Sequence, residues 1–423
     1  MELDDLLEAG TREYQDRMID SEIEFSEPDY SREVPVAVDV DTGDIISIKL
    51  DSTKRLGAFG PSGSGKTTLA KALMSRAGKG GWKQMHFSDV KNDFRTYDRK
   101  GGASKKLQKV TEGLLPGEET GAQERVMAIP HFMAQHYDSR PQYGTIFSMA
   151  LSDLTISEFK FLSGFHEWDS ESAREALEEI LSSVELQEIS LDYLEDRALE
   201  YQNTLERKIE GLKGKKLLTD RVNYNLRDVL GMFNEKEVFS LGLDNWRKYL
   251  NGQEHFFQFY SAKTLRTVKK MIDSGEIDGD KFIFFFDEFH KLAPQGKESM
   301  VKPEFQDLYD VSGRQLGVAT FIASQRPTQL PNPENLDDLD FISDLTDVFL
   351  MRGRTPLNED QWKMIVKGMG VYNSDGGQQL RKWQRKIQSL DRFEGVYINS
   401  EKHHGPDDCP RIRTLSPLVA HPG

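Results

Sequence analysis

Cysteine is nearly absent from this chain, which holds one, Cys409, in 423 residues. An intrachain disulfide and a zinc site built from thiolates are therefore excluded. His403 and His404, in EKHHGPDDCPR, read as part of a polar turn rather than a metal site. Long apolar runs are missing too. The longest, Phe282–Phe286 with its flanks, falls far short of the roughly 20 residues that cross a bilayer. The N-terminus, MELDDLLEAG, lacks the basic-then-apolar order of an export signal, so a soluble cytoplasmic protein is expected. Positive charge is the third scarcity: 70 acidic residues stand against 55 lysines and arginines, a net charge of −15. Such a field repels a polyanion at long range and argues against broad non-specific nucleic-acid binding. A local basic strip can still act, because salt screens distant charge.

What is present is globular material, 37% hydrophobic and 10% aromatic, enough to exclude a disordered chain. Residues 1–34 are charged and aperiodic and read as an N-terminal extension. VPVAVDVDTGDIISIKL (35–50) reads as two short strands around an Asp-Thr-Gly turn. RLGAF (55–59) is a strand, KTTLAKALMSRAG a helix closed by Gly78, KQMHFSDV (83–90) a strand, and RVMAIPHFM (125–133) another. From 139 to 236 the spacing turns helical, including one long charged helix over 191–216, so this span is expected to be a helical insertion between core segments 35–138 and 237–423. HFFQFYS (255–261) has strand character, as do KFIFFFDE (281–288) and LGVATFIASQ (316–325); TDVFLMRGR and GVYINS suggest edge strands. Strands alternating with helices predict an α/β fold, a mostly parallel sheet covered on both faces.

GPSGSGKT fits G-x-x-x-x-G-K-[ST], with Gly60, Gly65, Lys66 and Thr67 in the fixed positions. The glycines let backbone N–H groups turn inward into an anion nest at a helix N-terminus. Lys66 supplies a point charge to the β- and γ-phosphates, and the Thr67 hydroxyl is a magnesium ligand. The nucleotide-binding set is Gly60, Pro61, Ser62, Gly63, Ser64, Gly65, Lys66, Thr67 and Thr68. A second element follows in FIFFFDEFHKLAP, where the apolar strand delivers Asp287 for Mg²⁺ and Glu288 to polarise the attacking water. A base beside the metal ligand favours turnover over a nucleotide switch. The third strand ends in ASQRPTQLP, which makes Gln325 the candidate γ-phosphate sensor and Arg326 a contact to phosphate or a neighbouring subunit.

Taken in order, the loop 60–67, FSDVKND with Asp89 and Lys91, FFFDEFHKLAP and GRQLGVATFIASQRPTQLP resemble the FtsK–HerA branch of RecA-like P-loop ATPases. The likeness covers roughly residues 35–415. It implies a RecA-like core, ATP and Mg²⁺ as cofactors, and a homo-hexameric ring that pulls double-stranded DNA through its pore. It also implies an arginine acting on the neighbour's site, worth ~10³–10⁵ in rate; Arg314 is the matching position, with Arg352 and Arg354 as rivals. HerA proteins carry a β-barrel ahead of the core, whereas 59 residues precede Gly60 here. That departure, with the missing membrane spans, favours a viral genome-packaging ATPase, virion-associated and with a capsid or membrane-vertex partner. A HerA-like or conjugation-type translocase, a protein-secretion ATPase, and a nucleotide-gated ring without productive hydrolysis are the alternatives. Basic clusters at 105–109, 213–216, 266–270 and 381–386 are candidates for DNA contact, each also readable as a solvated helix face, and Trp383 is readable as a base-stacking or a core residue.

Overall fold

The computed structural model describes residues 29–419 apart from 88–100, 102–104, 116–117, 135–143, 164–170, 184–187, 201–203, 220–222, 234–237, 242–253, 298, 310–317, 331–340, 355–356 and 373–376. Its strands are β1 (Glu33–Asp39), β2 (Ile45–Lys49), β3 (Arg55–Phe59), β4 (Lys83–Phe87), β5 (Arg125–Pro130) and β6 (Gly144–Phe147). They continue with β7 (Val238–Leu241), β8 (Phe282–Phe286), β9 (Val318–Ser324), β10 (Asp347–Met351), β11 (Glu394–Asn399) and β12 (Arg411–Thr414). All join one sheet in the order β2-β1-β12-β11-β10-β3-β9-β8-β4-β7-β5-β6. From β10 to β6 every neighbour pair is parallel. The remaining strands form an antiparallel wing.

Strands buried on both faces should be apolar throughout, and β3, β8, β9 and β10 are buried at every position. Alternate side chains then serve different cores. Ile283 and Phe285 meet Leu69, Leu73 and Met74 of the helix Lys66–Lys79 on one face. Phe282, Phe284 and Phe286 enter the larger core on the other, with the helices Glu254–Asp273 and Val301–Tyr309.

The structure corrects several expectations. HFFQFYS is not a strand but the first part of the helix Glu254–Asp273. Its aromatics suggested β structure, yet His255, Gln258 and Ser261 recur at the helical interval of three, and the apolar spacing continues helically through Ala262, Leu265 and Val268. The strand in that region is instead the short β7. Residues 347–351 and 394–399 are interior strands, not edges. The charged stretch 191–216 is two helices, Leu191–Leu199 and Thr204–Gly214. RVMAIPHFM turns from strand to helix at His131, and the helix after the glycine-rich loop runs past Gly78 to Lys79, capped by Gly80. Within the span read as helical, 144–147 supplies the outermost strand.

Helices of that span dock through charge. Glu158, buried on the helix Ile156–Leu162, accepts from Lys263 at 2.9 Å and Arg266 at 2.7 Å. Burial alone would raise its pKa, but the Thr155 N–H and the two cations hold the carboxyl below its ordinary value. No helix among the described residues is long and apolar enough to cross a membrane.

Candidate active site

β3 ends at Phe59 and the chain turns at once into the glycine-rich loop. A Cβ on Gly60 would press into the Met351 carbonyl and lie 2.7 Å from Ser64 Oγ. Gly63 and Gly65 adopt φ of +72° and +96°, where other residues are strained. The helix then starts at Lys66 with no acid in its first turn, leaving its N-terminal dipole to attract an anion. Lys66 Nζ donates to the loop carbonyls of Gly60 at 2.6 Å and Pro61 at 3.1 Å, which keeps the ammonium over the loop. Ser62 and Gly63 are at the surface, while Pro61, Thr67 and Thr68 are half-buried.

The acidic pair stands two strands away in the same sheet. β9 lies between β3 and β8, with Phe59 opposite Ser324 and Phe286 opposite Ile322. At the usual strand spacing of about 4.8 Å the two chain ends are separated by roughly 10 Å, room for phosphates and one ion. Asp287 donates its N–H to Phe87 O at 2.9 Å, and its Oδ1 accepts the Glu288 N–H at 3.0 Å. Glu288 takes a left-handed backbone, φ 50° and ψ 45°, at the N-terminus of the turn Phe289–Leu292. A non-glycine residue held there costs of order 1–3 kcal/mol and is characteristic of functional sites.

Side chains bridge the gap. Gln325 Nε2 donates to Glu288 Oε1. Glu288 Oε2 is buried without a hydrogen bond among the described residues, 3.5 Å from His290 Nδ1. His290 Nδ1 lies 3.0 Å from Ser324 Oγ, which accepts the Arg326 N–H at 3.1 Å. The Gly60 N–H reaches Ser324 O at 3.3 Å. A continuous chain of contacts therefore runs from the glycine-rich loop through Ser324 and His290 to Glu288. Ser324 and His290 had no role assigned from sequence; their signal was only their place beside Gln325 and Glu288.

The residues suit a magnesium-bound triphosphate. Buried Ser64 Oγ and Glu288 Oε2 have no partner among the described residues, and the site offers loop amides and the Lys66 ammonium on one side and the Asp287–Glu288 carboxylates on the other. Arg314, Asp89 and Lys91 lie outside the described residues. Arg352 donates to Gln388 O at 2.7 Å and to Leu390 O, within its own chain. Gly353 packs against Pro61, and Arg354 is exposed beside it.

Three of the basic clusters are engaged in ion pairs within the chain. Lys213 pairs with Asp192 at 2.5 Å and Glu195 at 2.6 Å, and Arg266 and Lys269 pair with Glu304 at 2.6 and 3.0 Å. In the 381–386 cluster, Lys382 pairs with Asp407, and Trp383 is fully buried. Cys409 is buried and donates to Gly405 O at 3.2 Å; burial pushes its thiol up to about 12. Among the described residues no group of three or more His, Cys, Asp or Glu is placed to hold a metal.

No family model and no curated protein matches the chain. Among solved structures it is similar to VirB4 of Thermoanaerobacter pseudethanolicus, with a TM-score of 0.52 at 12% identity over 92% of this chain and 98% of that one. The bacterial conjugative coupling protein TrwBdeltaN70 gives 0.49 at 10% identity over 86% and 85%. The genome packaging NTPase B204 from Sulfolobus turreted icosahedral virus 2 gives 0.34 at 9% identity over 87% and 100%. The VirB4 likeness establishes a shared fold, and the two lower scores add no weight to it. The chain has the RecA-like P-loop NTPase fold.

Proposed function

We propose that this protein is an ATP-hydrolysing motor of the FtsK–HerA type that moves double-stranded DNA as a homo-hexameric ring. The observation that carries the reading is the contact chain Gly60–Ser324–His290–Glu288, with Gln325 on the same carboxylate, across three adjacent strands. It supports hydrolysis at one composite site rather than nucleotide binding alone.

Within that site, the loop 60–68 holds the phosphates through its amides and Lys66. Thr67 and Asp287 would hold Mg²⁺, which neutralises phosphate charge when bound. Glu288 accepts the proton of the attacking water, and Gln325 orients the Glu288 carboxylate. Arg314 is the proposed arginine from the neighbouring subunit. Arg352 is the weaker candidate because its guanidinium is spent on carbonyls of its own chain.

DNA as the cargo is supported by the ordered motif set. Packaging of a viral genome, with a capsid or membrane-vertex partner, is the finer assignment we favour; association with capsid shells encoded beside the gene tests it. The DNA reading is tested by phosphate release with and without duplex DNA at about 100 mM salt, where electrostatic contacts still operate. Stimulation is expected. Unchanged turnover would overturn DNA as the cargo.

A further inference from the structure

Beside Glu288 lies an open cavity of about 640 Å³ that Glu288 and Gln325 border. Its walls are the turn after β8, through Lys297, and the turn after β9, through Gln329. The two turns are laced together, with the Gln295 N–H donating to Gln329 O at 3.0 Å and Arg326 Nη1 to Gln329 Oε1 at 3.5 Å. Gln258 Nε2 fastens the first turn from behind through Lys291 O at 2.9 Å. No residue of the 60–68 loop lines this space, so it is distinct from the phosphate cradle.

Its chemistry is one-sided. Among the described residues, Lys291, Lys297 and Arg326 line it with one carboxylate, Glu288, in a chain whose net charge is −15. Pro294 is the one apolar residue among the described residues of the lining. A protein partner would need an apolar centre to its interface, whereas nucleic-acid interfaces are polar and positive. Lysine and arginine charges with glutamine amides are the groups that hold phosphodiester oxygens without reading bases. Gln325 and Glu288 border the same space, so a ligand there touches the base and its clamp directly.

We propose that this cleft binds the phosphodiester backbone of the DNA being moved, and that its occupancy is coupled to turnover through Gln325 and Glu288. The inference rests on the DNA-motor reading. Removing two cations that each neutralise a phosphate should lower the slope of log affinity against log salt by about 2.

The test pairs a Lys291→Ala/Lys297→Ala variant with a control, Lys49→Ala/Lys402→Ala, which removes equal charge at exposed positions elsewhere. Duplex binding is read by fluorescence anisotropy across a salt series, and phosphate release is read with and without duplex. The cleft variant should keep DNA-free turnover within about twofold, bind duplex roughly 10-fold more weakly with the reduced slope, and lose most of its stimulation. The control should match wild type. Wild-type affinity and slope in the cleft variant would overturn the proposal, as would a collapse of its DNA-free turnover. A wild-type protein that neither binds duplex nor responds to it would instead overturn the motor reading itself.

Discussion

Replacing Gln325 by alanine isolates the clamp on Glu288, the proposed catalytic carboxylate. Gln325 is half-buried at the end of β9, and its amide donates to Glu288 Oε1, while Oε2 has no hydrogen bond among the described residues. Removing the amide leaves His290, at 3.5 Å, as the nearest described donor to the carboxylate. A hydrogen bond to a charged group contributes about 1.5–3 kcal/mol. If that contribution operates in the transition state, kcat should fall about 10- to 150-fold, at 1.36 kcal/mol per factor of ten. Nucleotide affinity, which we assign to the loop 60–68 two strands away, should move by less than about threefold. The assay is steady-state phosphate release beside equilibrium binding of a fluorescent ATP analogue, with thermal melting to show that the fold is intact. In a Glu288→Gln background the second change should add almost nothing, because the two residues act as one unit. Unchanged kcat in Gln325→Ala, or full additivity with Glu288→Gln, would refute the clamp.

Gly60→Ala forces a methyl against the Met351 carbonyl and should abolish nucleotide binding while the sheet still folds, read by ATP-analogue titration and circular dichroism. Glu158→Gln removes a buried carboxylate from Lys263 and Arg266. Breaking such a pair costs about 3–5 kcal/mol, and with Arg266 still 31% exposed the lower end is expected in denaturant melts. Because the folded pKa of Glu158 is lowered, its stabilisation is full above its ordinary value of 4.5 and fades as pH falls through the lowered value. The variant should therefore lose less stability than wild type on acidification below about pH 4.5. Trp383→Ala should cost ~3–5 kcal/mol as a buried core truncation without weakening DNA affinity in the folded protein; a selective loss of DNA binding would mark a stacking residue instead.

The parallel strands that carry the site were legible because each couples an uninterrupted apolar run to a chemically distinct end: RLGAF to the glycine loop, FIFFF to Asp287–Glu288, VATFIAS to Gln325. Local pattern sufficed there. It failed at 255–261, where the aromatic run outweighed the helical interval of His255, Gln258 and Ser261, and at β7, whose four residues are too few to show a period. The interior placement of 347–351 and 394–399 depends on pairing partners far along the chain, which no local window contains. The roles of Ser324 and His290 stayed hidden for the same reason, since they arise only when β8 and β9 lie side by side.

Paired measurement of Mg-ATP binding and hydrolysis in Lys66→Ala and Glu288→Gln tests the composite site most directly. Glu288→Gln should bind ATP about as tightly as wild type yet turn over at least 100-fold more slowly, the scale of losing a general base. Lys66→Ala should fail at binding. Near-normal hydrolysis by Glu288→Gln would contradict the account, because the carboxylate across β9 from the phosphate loop would then have no part in the chemistry.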